Sequence, residues 1–274
     1  MCAVGRLPVH PHLARGEHGS EPLAEAADRS VENSGDVVAV HLDTSSAGRL
    51  AGAGEQAEHG HLASVVPHPA GTLRCVMSLR ILLVRHGQST WNAEGRWQGR
   101  ADPPLSSLGQ AQARAAVDAL GLVDDVWTSP LVRALQTATI LADSLGVGPV
   151  ATDHRLVETD AGEWTGLTRP EIEARWPGWL AEQRMPPGFE AAESVVARAV
   201  AAIADVHEHT GGHGAVLVVT HGGLIRNLER HVGLVPEPVP NLGGRWFSVE
   251  AGRITPGERL VLVDHDRIST PEAL

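Results

Sequence analysis

From residue 81 onward, short apolar segments alternate with segments that have helical patterning. Residues 81–84 (Ile-Leu-Leu-Val) and 215–219 (Ala-Val-Leu-Val-Val) are apolar runs of strand length. Shorter strands are predicted at residues 126–127 and 259–263. Helices are predicted over residues 107–120, 129–146, 190–209 and 224–233. Strands that alternate with such helices predict an α/β fold, a three-layer sandwich with a largely parallel central sheet flanked by helices.

The ends of several predicted helices carry capping signals. Ser107 is followed three residues later by glutamine, and Thr168 by glutamate, so both are predicted to begin helices as capping boxes. Ser129 and Pro130 are predicted as the N-cap and first residue of another helix. Gly146 is the expected stop of that helix.

Residues 1–76 differ in composition from the rest of the chain. They contain none of the seven tryptophans or two phenylalanines but seven of the fifteen histidines. Because large apolar side chains are too few to offset the entropy of ordering, we expect this segment to be mostly disordered, with local helix at most around residues 21–28. An alternative is that Met77 is the natural start and the segment is a gene-model artefact. The folded domain is expected over residues 77–270.

Charge and composition exclude several classes of function. The net charge of -11 argues against a nucleic-acid partner, and no apolar run approaches the roughly 20 residues that a membrane helix needs. All 22 basic residues are arginine, which argues against P-loop, pyridoxal and aspartate-nucleophile phosphatase chemistry, since these use lysine. We expect a small-molecule partner and, in the absence of a secretory signal pattern, a cytoplasmic location.

Neither thiol chemistry nor a metal site is predicted. Cys2 and Cys75 both precede the patterned region, so we expect neither a disulfide nor a thiol nucleophile in the folded part. Two pairs of histidines in residues 1–76 are closely spaced, but no carboxylate or thiolate stands at ligand spacing beside them. We therefore expect no metal and no cofactor.

Two predicted strands end in the same way. Residues 81–84 run into Arg85, His86 and a glycine, and residues 215–219 run into a threonine, His221 and two glycines. In open α/β sheets, ligands bind beyond the carboxyl ends of the strands. A single loop histidine would indicate little, but the matched context of the two imidazoles predicts that they face one site.

Four motifs, in order along the chain, carry a resemblance to a known family. Residues 85–92, Arg-His-Gly-Gln-Ser-Thr-Trp-Asn, resemble the signature of the histidine phosphatase superfamily, also called phosphoglycerate mutase-like. Residues 129–138 resemble its second arginine motif, Glu158 with residues 162–166 its acid/base motif, and residues 219–222 its second histidine motif. The resemblance implies that family's α/β fold and its phosphoryl-transfer chemistry.

Phosphoryl transfer requires charge neutralisation and an in-line nucleophile, and five residues are candidates for these roles. Arg85 and Arg133 would cradle the phosphate, because the planar guanidinium matches phosphate oxygens in pairs. His86 would attack phosphorus and form a phosphohistidine. His221 would donate a proton-bearing nitrogen to an equatorial oxygen. Glu158 would protonate the leaving group and then deprotonate the attacking water.

Other residues are assigned by resemblance or compete for a role. Asn92, Gln98 and Gly99 are expected to bind the substrate together with the two arginines and the second histidine of the site. Asp160 and Glu163 are rivals of the proposed general acid, because both are carboxylates close to it in the chain.

Residues 162–193 are expected to cover the site and to set its specificity. The tryptophans Trp164, Trp176 and Trp179, together with a phenylalanine at position 189, give this lid apolar bulk. Many family members carry Gly-Gly-Glu-Ser before the helix that leads to the second histidine, whereas residues 191–194 here read Ala-Ala-Glu-Ser. The lid geometry near Glu193 is therefore an open question at this stage.

The resemblance implies a phosphomonoesterase that hydrolyses a small phosphorylated metabolite through a phosphohistidine intermediate. Residues 98–99, 166–168 and 242–244 are similar to stretches of glucosyl-3-phosphoglycerate phosphatases and of related broad-specificity enzymes. Alternatives are a cofactor-dependent phosphoglycerate mutase and a catalytically dead phosphate-binding scaffold, although a dead scaffold is expected to have lost at least one of the five catalytic groups. A homodimer is common in the family.

Overall fold

The computed structural model describes residues 78–264 in full and the backbone of two short segments before them. These segments, β1 (Ser64–Pro67) and β2 (Leu73–Val76), pair antiparallel as a separate two-stranded sheet, which was not predicted. The disorder expected for the rest of residues 1–76, and the local helix around residues 21–28, fall outside the described residues. Both stay predictions, as does the extension of the domain to residue 270.

Six further strands form the central sheet of the described domain. They are β3 (Leu79–Arg85), β4 (Asp125–Thr128), β5 (Ala151–Thr152), β6 (Gly214–Thr220), β7 (Gly243–Glu250) and β8 (Arg253–Val261). Their order across the sheet is β5-β4-β6-β3-β7-β8. Strands β3 to β6 pair in parallel, whereas β7 pairs antiparallel with both β3 and β8. The predicted α/β fold with a largely parallel sheet is therefore confirmed.

The strands predicted most clearly from sequence lie at the centre of this sheet. Residues 81–84 and 215–219 fall inside β3 and β6, whose side chains are almost all buried. The prediction missed β5 and β7 and placed the start of β8 at residue 259 instead of Arg253. β8 is an edge strand with mostly exposed positions and an internal Pro256, so it has no continuous apolar run to reveal it.

Six α-helices connect the strands within the described residues. They are α1 (Thr90–Ala93), α2 (Ser107–Ala115), α3 (Val132–Leu145), α4 (Arg169–Arg175), α5 (Ala192–His209) and α6 (Gly222–His231). Short 3₁₀ turns lie at Val117–Ala119, His154–Leu156 and Gly162–Trp164. No helix in this described part is long and apolar enough to cross a membrane.

The helices cover both faces of the sheet, which gives the three layers that were predicted. Side chains alternate along β3, so Ile81 and Leu83 pack in one core with α5 and α6. Leu82 and Val84 point to the other face and pack in a second core with α3. Both faces of β3 are therefore buried, which leaves its carboxyl end as the place where it meets the exterior.

Two of the predicted helix boundaries are confirmed. Thr168 caps α4 as a capping box, because its hydroxyl accepts from the Glu171 amide while the Glu171 carboxylate accepts from the Thr168 amide. Gly146 ends α3 in the left-handed conformation with φ of 68°.

The prediction that Ser107 caps α2 is wrong by one residue. Ser106 is the N-cap, and its hydroxyl accepts from the Gly109 amide at 3.0 Å. The Ser106 amide also donates to the carbonyl of Gln88 at 2.9 Å, so the helix start is fixed by the loop that follows β3.

The prediction that Ser129 caps α3 is also wrong. Leu131 is the N-cap and the helix begins at Val132. The amide of Ser129 donates to the Val219 carbonyl at 3.0 Å, so this serine continues the pairing between β4 and β6. Its hydroxyl lies 2.8 Å from Nε2 of His221, which places it in the site described next.

Candidate active site

The two motif histidines meet because the strands that precede them are paired in register. Arg85 at the end of β3 stands opposite Thr220 at the end of β6, and the His86 amide donates to the Thr220 carbonyl at 3.0 Å. The imidazole rings of His86 and His221 consequently lie 5.2 Å apart between centroids, edge to face at 62°. The structure thus brings the two predicted histidines together at one edge of the sheet.

The hydrogen bonds of His86 define its tautomer. Nδ1 lies 2.6 Å from the carbonyl oxygen of Gly87, and because a carbonyl only accepts, Nδ1 carries the proton. Nε2 lies 3.2 Å from Nε of Arg133, and because a guanidinium only donates, Nε2 presents its lone pair. Burial, followed by the charges of Arg133 and Arg85, holds the pKa of His86 well below its usual range. The ring is therefore neutral, as a nucleophile must be.

Arg133 and Arg85 approach this ring from α3 and β3. Arg133 is fully buried and donates to the carbonyls of Ala101 at 2.7 Å and Gly99 at 3.0 Å. Arg85 donates to the carbonyl of Val239 at 2.7 Å. Burial lowers the pKa of Arg85 and of Arg133 to about 10 in each case, so both remain cationic at neutral pH. Two positive charges thus act on the His86 ring, and Arg133 contacts its Nε2 lone pair directly.

His221 is fully buried and differs from His86 in its partners. Its Nε2 lies 2.8 Å from the hydroxyl of Ser129, while its Nδ1 has no hydrogen-bond partner among the described residues. The Ser129 hydroxyl already accepts from the Leu131 amide at 3.3 Å, so its own hydrogen is free to be donated to Nε2. Burial and the charge of Arg133 hold the pKa of His221 well below its usual range.

Glu158 lies at the N-terminus of α6, where backbone amides that have no partner within the helix can donate to its carboxyl oxygens. Its Oε2 accepts from the amide of Gly223 at 3.1 Å, and its Oε1 from the amide of Thr159 at 2.8 Å. A Cβ at Gly223 would lie 2.3 Å from Oε1, so only glycine allows this approach. Arg198 of α5 donates to the carbonyls of Val157 and Glu158, which holds the loop in place.

The rival carboxylates do not reach the site. Asp160 accepts from the Gly162 amide at 2.9 Å, and Glu163 is exposed. Neither residue lines the cleft into which Glu158 faces.

The three remaining candidates surround the loop after His86. Asn92 accepts from the Ser89 amide at 3.1 Å and leaves its Nδ2 buried without a partner among the described residues. Gln98 accepts from the Ser89 hydroxyl at 2.7 Å and lines the cleft. Gly99 has φ of 50°, and a Cβ there would lie 2.7 Å from the Ala161 amide nitrogen. The carbonyl of Gly99 accepts a hydrogen bond from Arg133, so Gly99 also positions that side chain.

Asn241 belongs to the site but was missed by the sequence analysis. It is fully buried, and its Nδ2 donates to the carbonyl oxygen of His86 at 2.9 Å. The next residue, Leu242, donates its amide to the Arg85 carbonyl at 3.0 Å. The glycines that follow, Gly243 and Gly244, were noted in sequence for their resemblance only. A Cβ at Gly244 would lie 2.1 Å from the Leu83 carbonyl oxygen, so Gly244 marks a close approach to β3.

A cleft of about 830 Å³ opens beside His86. Of the expected lid residues, Trp164 and Phe189 line it, together with Leu180 and Met185. The remaining two lid tryptophans, at positions 176 and 179, pack on each other with centroids 6.1 Å apart and do not line it. Glu193 lies outside the cleft, whereas residues 191 and 192, the two alanines where many family members carry glycine, line its wall.

The described residues contain no cluster of three or more histidine, cysteine, aspartate or glutamate side chains placed to hold a metal ion. Arg133 and Arg85, both buried, bring positive charge to the ring of His86.

The fold and the paired histidines define a phosphoryl-transfer type of site, and the chain belongs to the histidine phosphatase superfamily (branch 1), which residues 81–259 match. It is 38% identical over 179 residues to a glucosyl-3-phosphoglycerate phosphatase of Mycolicibacterium vanbaalenii, covering 60% of this chain and 79% of the relative. It is 34% identical over 180 residues to a 2,3-bisphosphoglycerate-dependent phosphoglycerate mutase of Methylobacterium sp. (strain 4-46), covering 61% of this chain and 86% of the relative.

A solved structure gives the same relationship in three dimensions. A mycobacterial glucosyl-3-phosphoglycerate phosphatase in complex with inorganic phosphate is 31% identical to this chain, with a TM-score of 0.59. The match covers 67% of this chain and 98% of that one. Relatives of this chain thus include both phosphatases and mutases, so family membership alone leaves the reaction to be argued from the site.

Proposed function

We propose that this protein is a phosphomonoesterase that hydrolyses a small phosphorylated metabolite through a phosphohistidine on His86. The observation that carries the proposal is the tautomer of His86, whose Nδ1 proton is donated to the Gly87 carbonyl while the Nε2 lone pair faces the Arg133 guanidinium. A neutral nitrogen with an oriented lone pair, next to positive charge, is what attack on a phosphate dianion requires.

In the first step, the Nε2 lone pair of His86 attacks phosphorus and the bond from phosphorus to the ester oxygen breaks. Glu158 enters this step protonated and gives its proton to the departing alkoxide. Arg133 turns its Nε hydrogen from Nε2 to a phosphoryl oxygen, which frees the lone pair and neutralises charge in the transition state. Arg85 binds the same group, since it lines the cleft beside His86.

In the second step, water replaces the alcohol. Glu158, now a carboxylate, takes a proton from the water, whose oxygen attacks phosphorus while the bond between phosphorus and Nε2 breaks. Inorganic phosphate leaves, His86 regains its neutral form, and Glu158 is protonated again. The free enzyme is thereby restored.

His221 stabilises the transferring group in both steps. We infer that Ser129 donates to its Nε2, which places the single proton of the neutral ring on Nδ1, the buried nitrogen without a partner in the described residues. A phosphoryl oxygen would accept a hydrogen bond from that nitrogen. The free-energy cost of burying the donor without an acceptor is therefore removed only when the phosphoryl group is bound.

The contents of the lid favour hydrolysis over isomerisation. A mutase must exclude water and retain a bisphosphorylated intermediate, which requires additional basic groups over the site. Residues 159–220 contain no lysine and four arginines, Arg169, Arg175, Arg184 and Arg198. Arg198 is paired with Glu190, so of these four only Arg169 lines the cleft, to which α6 contributes Arg226 and Arg230. Because residues 159–220 contribute a single basic side chain to the cleft, water is expected to reach the phosphohistidine.

The mutase is the second candidate, because a mutase is among the relatives. The experiment supplies 3-phosphoglycerate with catalytic 2,3-bisphosphoglycerate and measures 2-phosphoglycerate beside free phosphate. A parallel panel of phosphate esters, with glucosyl-3-phosphoglycerate as its first member, is assayed for phosphate release. We expect release of phosphate from at least one ester without isomerisation. Efficient interconversion with negligible hydrolysis of every ester would establish the mutase instead.

A further inference from the structure

Glu190 is a nearly buried carboxylate that the proposed mechanism does not use. It lies just before α5, and its side chain is only 8% exposed. Its Oε1 atom lies 2.9 Å from Nε of Arg198 and 3.1 Å from Nη2 of Arg100. Its Oε2 atom accepts from Nη2 of Arg198 at 3.0 Å and from the amide of Asp160 at 3.2 Å. One carboxylate therefore joins two arginines from different parts of the chain.

Arg198 connects this carboxylate to the general acid. From α5 it donates to the carbonyls of Arg155 at 2.7 Å, Val157 at 2.5 Å and Glu158 at 3.1 Å. These carbonyls belong to the segment that brings the Glu158 side chain to the start of α6. Glu190 accepts from two nitrogens of Arg198, and such a bidentate pair fixes the plane of the guanidinium. The position of Glu158 therefore depends on Glu190.

Arg100 connects the same carboxylate to the phosphate-binding side of the site. It stands between Gly99 and Ala101, whose carbonyls both accept from Arg133. Its own side chain is half-exposed and reaches back to Glu190. Because the two flanking carbonyls set the direction of Arg133, an anchor on the residue between them restrains the loop that orients this guanidinium.

Glu190 is suited to hold cations and not to bind the substrate. Burial acts to raise its pKa, but the hydrogen bonds from Arg198 and the charges of Arg198 and Arg100 outweigh burial, so the pKa is lowered. The carboxylate is therefore ionised at neutral pH. Although Glu190 lines the cleft, its negative charge repels a phosphate dianion, and both of its oxygens already have partners within the protein.

We propose that Glu190 is a positioning residue that couples the general acid to the arginine that binds the phosphoryl group. Through Arg198 it fixes the segment that carries Glu158. Through Arg100 it fixes the loop that directs Arg133. The inference rests on the proposed function, and it assigns Glu190 no contact with the substrate. Both catalytic groups must be in place at the same moment, and a misplacement of about 1 Å costs about 100-fold in rate.

The test compares two esters in Glu190→Gln, which keeps the size of the side chain and removes its charge. The alkyl ester 3-phosphoglycerate needs a proton from Glu158 for its leaving group, whereas p-nitrophenyl phosphate does not. We expect kcat to fall about 100-fold for 3-phosphoglycerate and about tenfold for p-nitrophenyl phosphate. Both esters lose the placement of Arg133, but only the alkyl ester also loses that of Glu158. KM should change less than about threefold for either ester.

Arg100→Met separates the two connections, because it breaks only the one toward Arg133. We expect a loss of about tenfold that is equal for the two esters. Arg100 also lies 3.9 Å from the carboxylate of Asp160, a contact that Glu190→Gln leaves intact. Adding Arg100→Met to Glu190→Gln should nevertheless cost little more, since Arg100 acts through Glu190. Arg100→Lys keeps a cation at this position and should recover part of the activity.

Glu208→Gln is the matched control, because Glu208 is an exposed glutamate near the other end of α5. It should leave kcat for both esters unchanged. Equal losses for the two esters in Glu190→Gln would show that Glu190 does not act on Glu158 and would overturn the inference. A change confined to KM would reveal a substrate contact, and additive losses in the double variant would show that Arg100 acts independently. Either result also contradicts the coupling.

Failure of the proposed function can be separated from failure of this inference. If the wild type hydrolyses neither ester, calorimetric binding of orthovanadate reports on the Arg133 side without turnover. Exchange of the Gly223 amide hydrogen, measured by NMR, reports on the Glu158 side, because this amide donates to Glu158. Weaker binding and faster exchange in Glu190→Gln, with neither in Glu208→Gln, support the coupling. An unchanged exchange rate in Glu190→Gln contradicts it.

Discussion

The Nε2 atom of His86 lies 3.2 Å from the Nε atom of Arg133, and this contact sets the reactivity proposed for the site. The guanidinium orients the imidazole lone pair and disfavours its protonation at the same time. Arg133 is itself held by the carbonyls of Gly99 and Ala101, so its direction is determined by the loop that follows His86. A point charge on a flexible chain could not make these three contacts together.

Arg133→Lys should therefore lower kcat by at least about 100-fold, the usual effect of removing one preorganised donor to a transition state. Release of phosphate at saturating substrate, measured well below the melting temperature of the variant, checks the prediction. Retention of activity within fivefold of wild type would show that Arg133 has a structural role only.

Acidification should destabilise the protein through the two buried histidines. The pKa values of His86 and His221 lie well below 6.5 in the folded state, so below that pH the unfolded chain binds protons that the folded one does not. The free energy of unfolding should then fall with decreasing pH, by up to about 1.4 kcal/mol per pH unit for each ring.

His86→Gln removes one of these groups and should flatten the slope measured by urea denaturation between pH 6.5 and pH 5.5. His154→Gln is the control, since His154 is exposed, and it should keep the wild-type slope. The same slope in His86→Gln and wild type would contradict a depressed pKa for His86.

Gly223→Ala should impair protonation of the leaving group. The added Cβ would lie 2.3 Å from Oε1 of Glu158 and 2.8 Å from the hydroxyl of Thr159, so the carboxylate must move. General acid catalysis is worth about 100- to 10,000-fold, and we expect a loss toward the lower end for alkyl phosphates. p-Nitrophenyl phosphate should be affected much less, because its phenolate leaves without a proton.

Gly222→Ala is the matched control on the same helix, since its Cβ would make ordinary contact with the Arg85 side chain at 3.4 Å. A loss in Gly223→Ala of the same size for alkyl and p-nitrophenyl esters would point to damage at the phosphate-binding groups instead of Glu158.

Asn241→Asp should slow formation of the phosphohistidine. The substitution keeps the shape of the side chain but replaces the Nδ2 donor with an oxygen facing the His86 carbonyl. Loss of that bond and the added negative charge should lower kcat by about tenfold or more, while KM changes little. Single-turnover measurement of phosphoenzyme formation is the direct readout. A change in KM alone would show that Asn241 acts on substrate binding.

A chain that begins at Met77 should keep the activity and melting temperature of the full protein. Residues 1–76 lack the aromatic side chains with which a segment docks on a core, and the strands β1 and β2 pair with each other in a sheet separate from the central one. Comparison of kcat/KM and of thermal unfolding for the two chains checks this. A drop of several degrees on truncation would show that the segment packs against the domain.

Much of the fold was predictable because its central elements have strong local signals. β3 and β6 are apolar runs that are buried on both faces, and α4 begins at a capping box. Where two serines stand side by side, as at Ser106 and Ser107, local pattern did not decide which one caps the helix. The two-residue strand β5 and the edge strand β8 were missed or shortened because they bury too little to require an apolar pattern.

The sequence by itself determined which reactive groups the protein has and that His86 and His221 follow parallel strands. Only the tertiary structure decided the tautomer of His86 and the hydrogen bond of Glu158 to the Gly223 amide at the start of α6. It also decided the contact between Ser129 and His221 and the hydrogen bond from Asn241 to the His86 carbonyl. Each of these depends on hydrogen-bond partners or neighbouring backbone that packing brings together. Asn241 and His86 are 155 positions apart in the chain, and no periodicity or cap can encode a contact whose energy arises only after the sheet has formed around it.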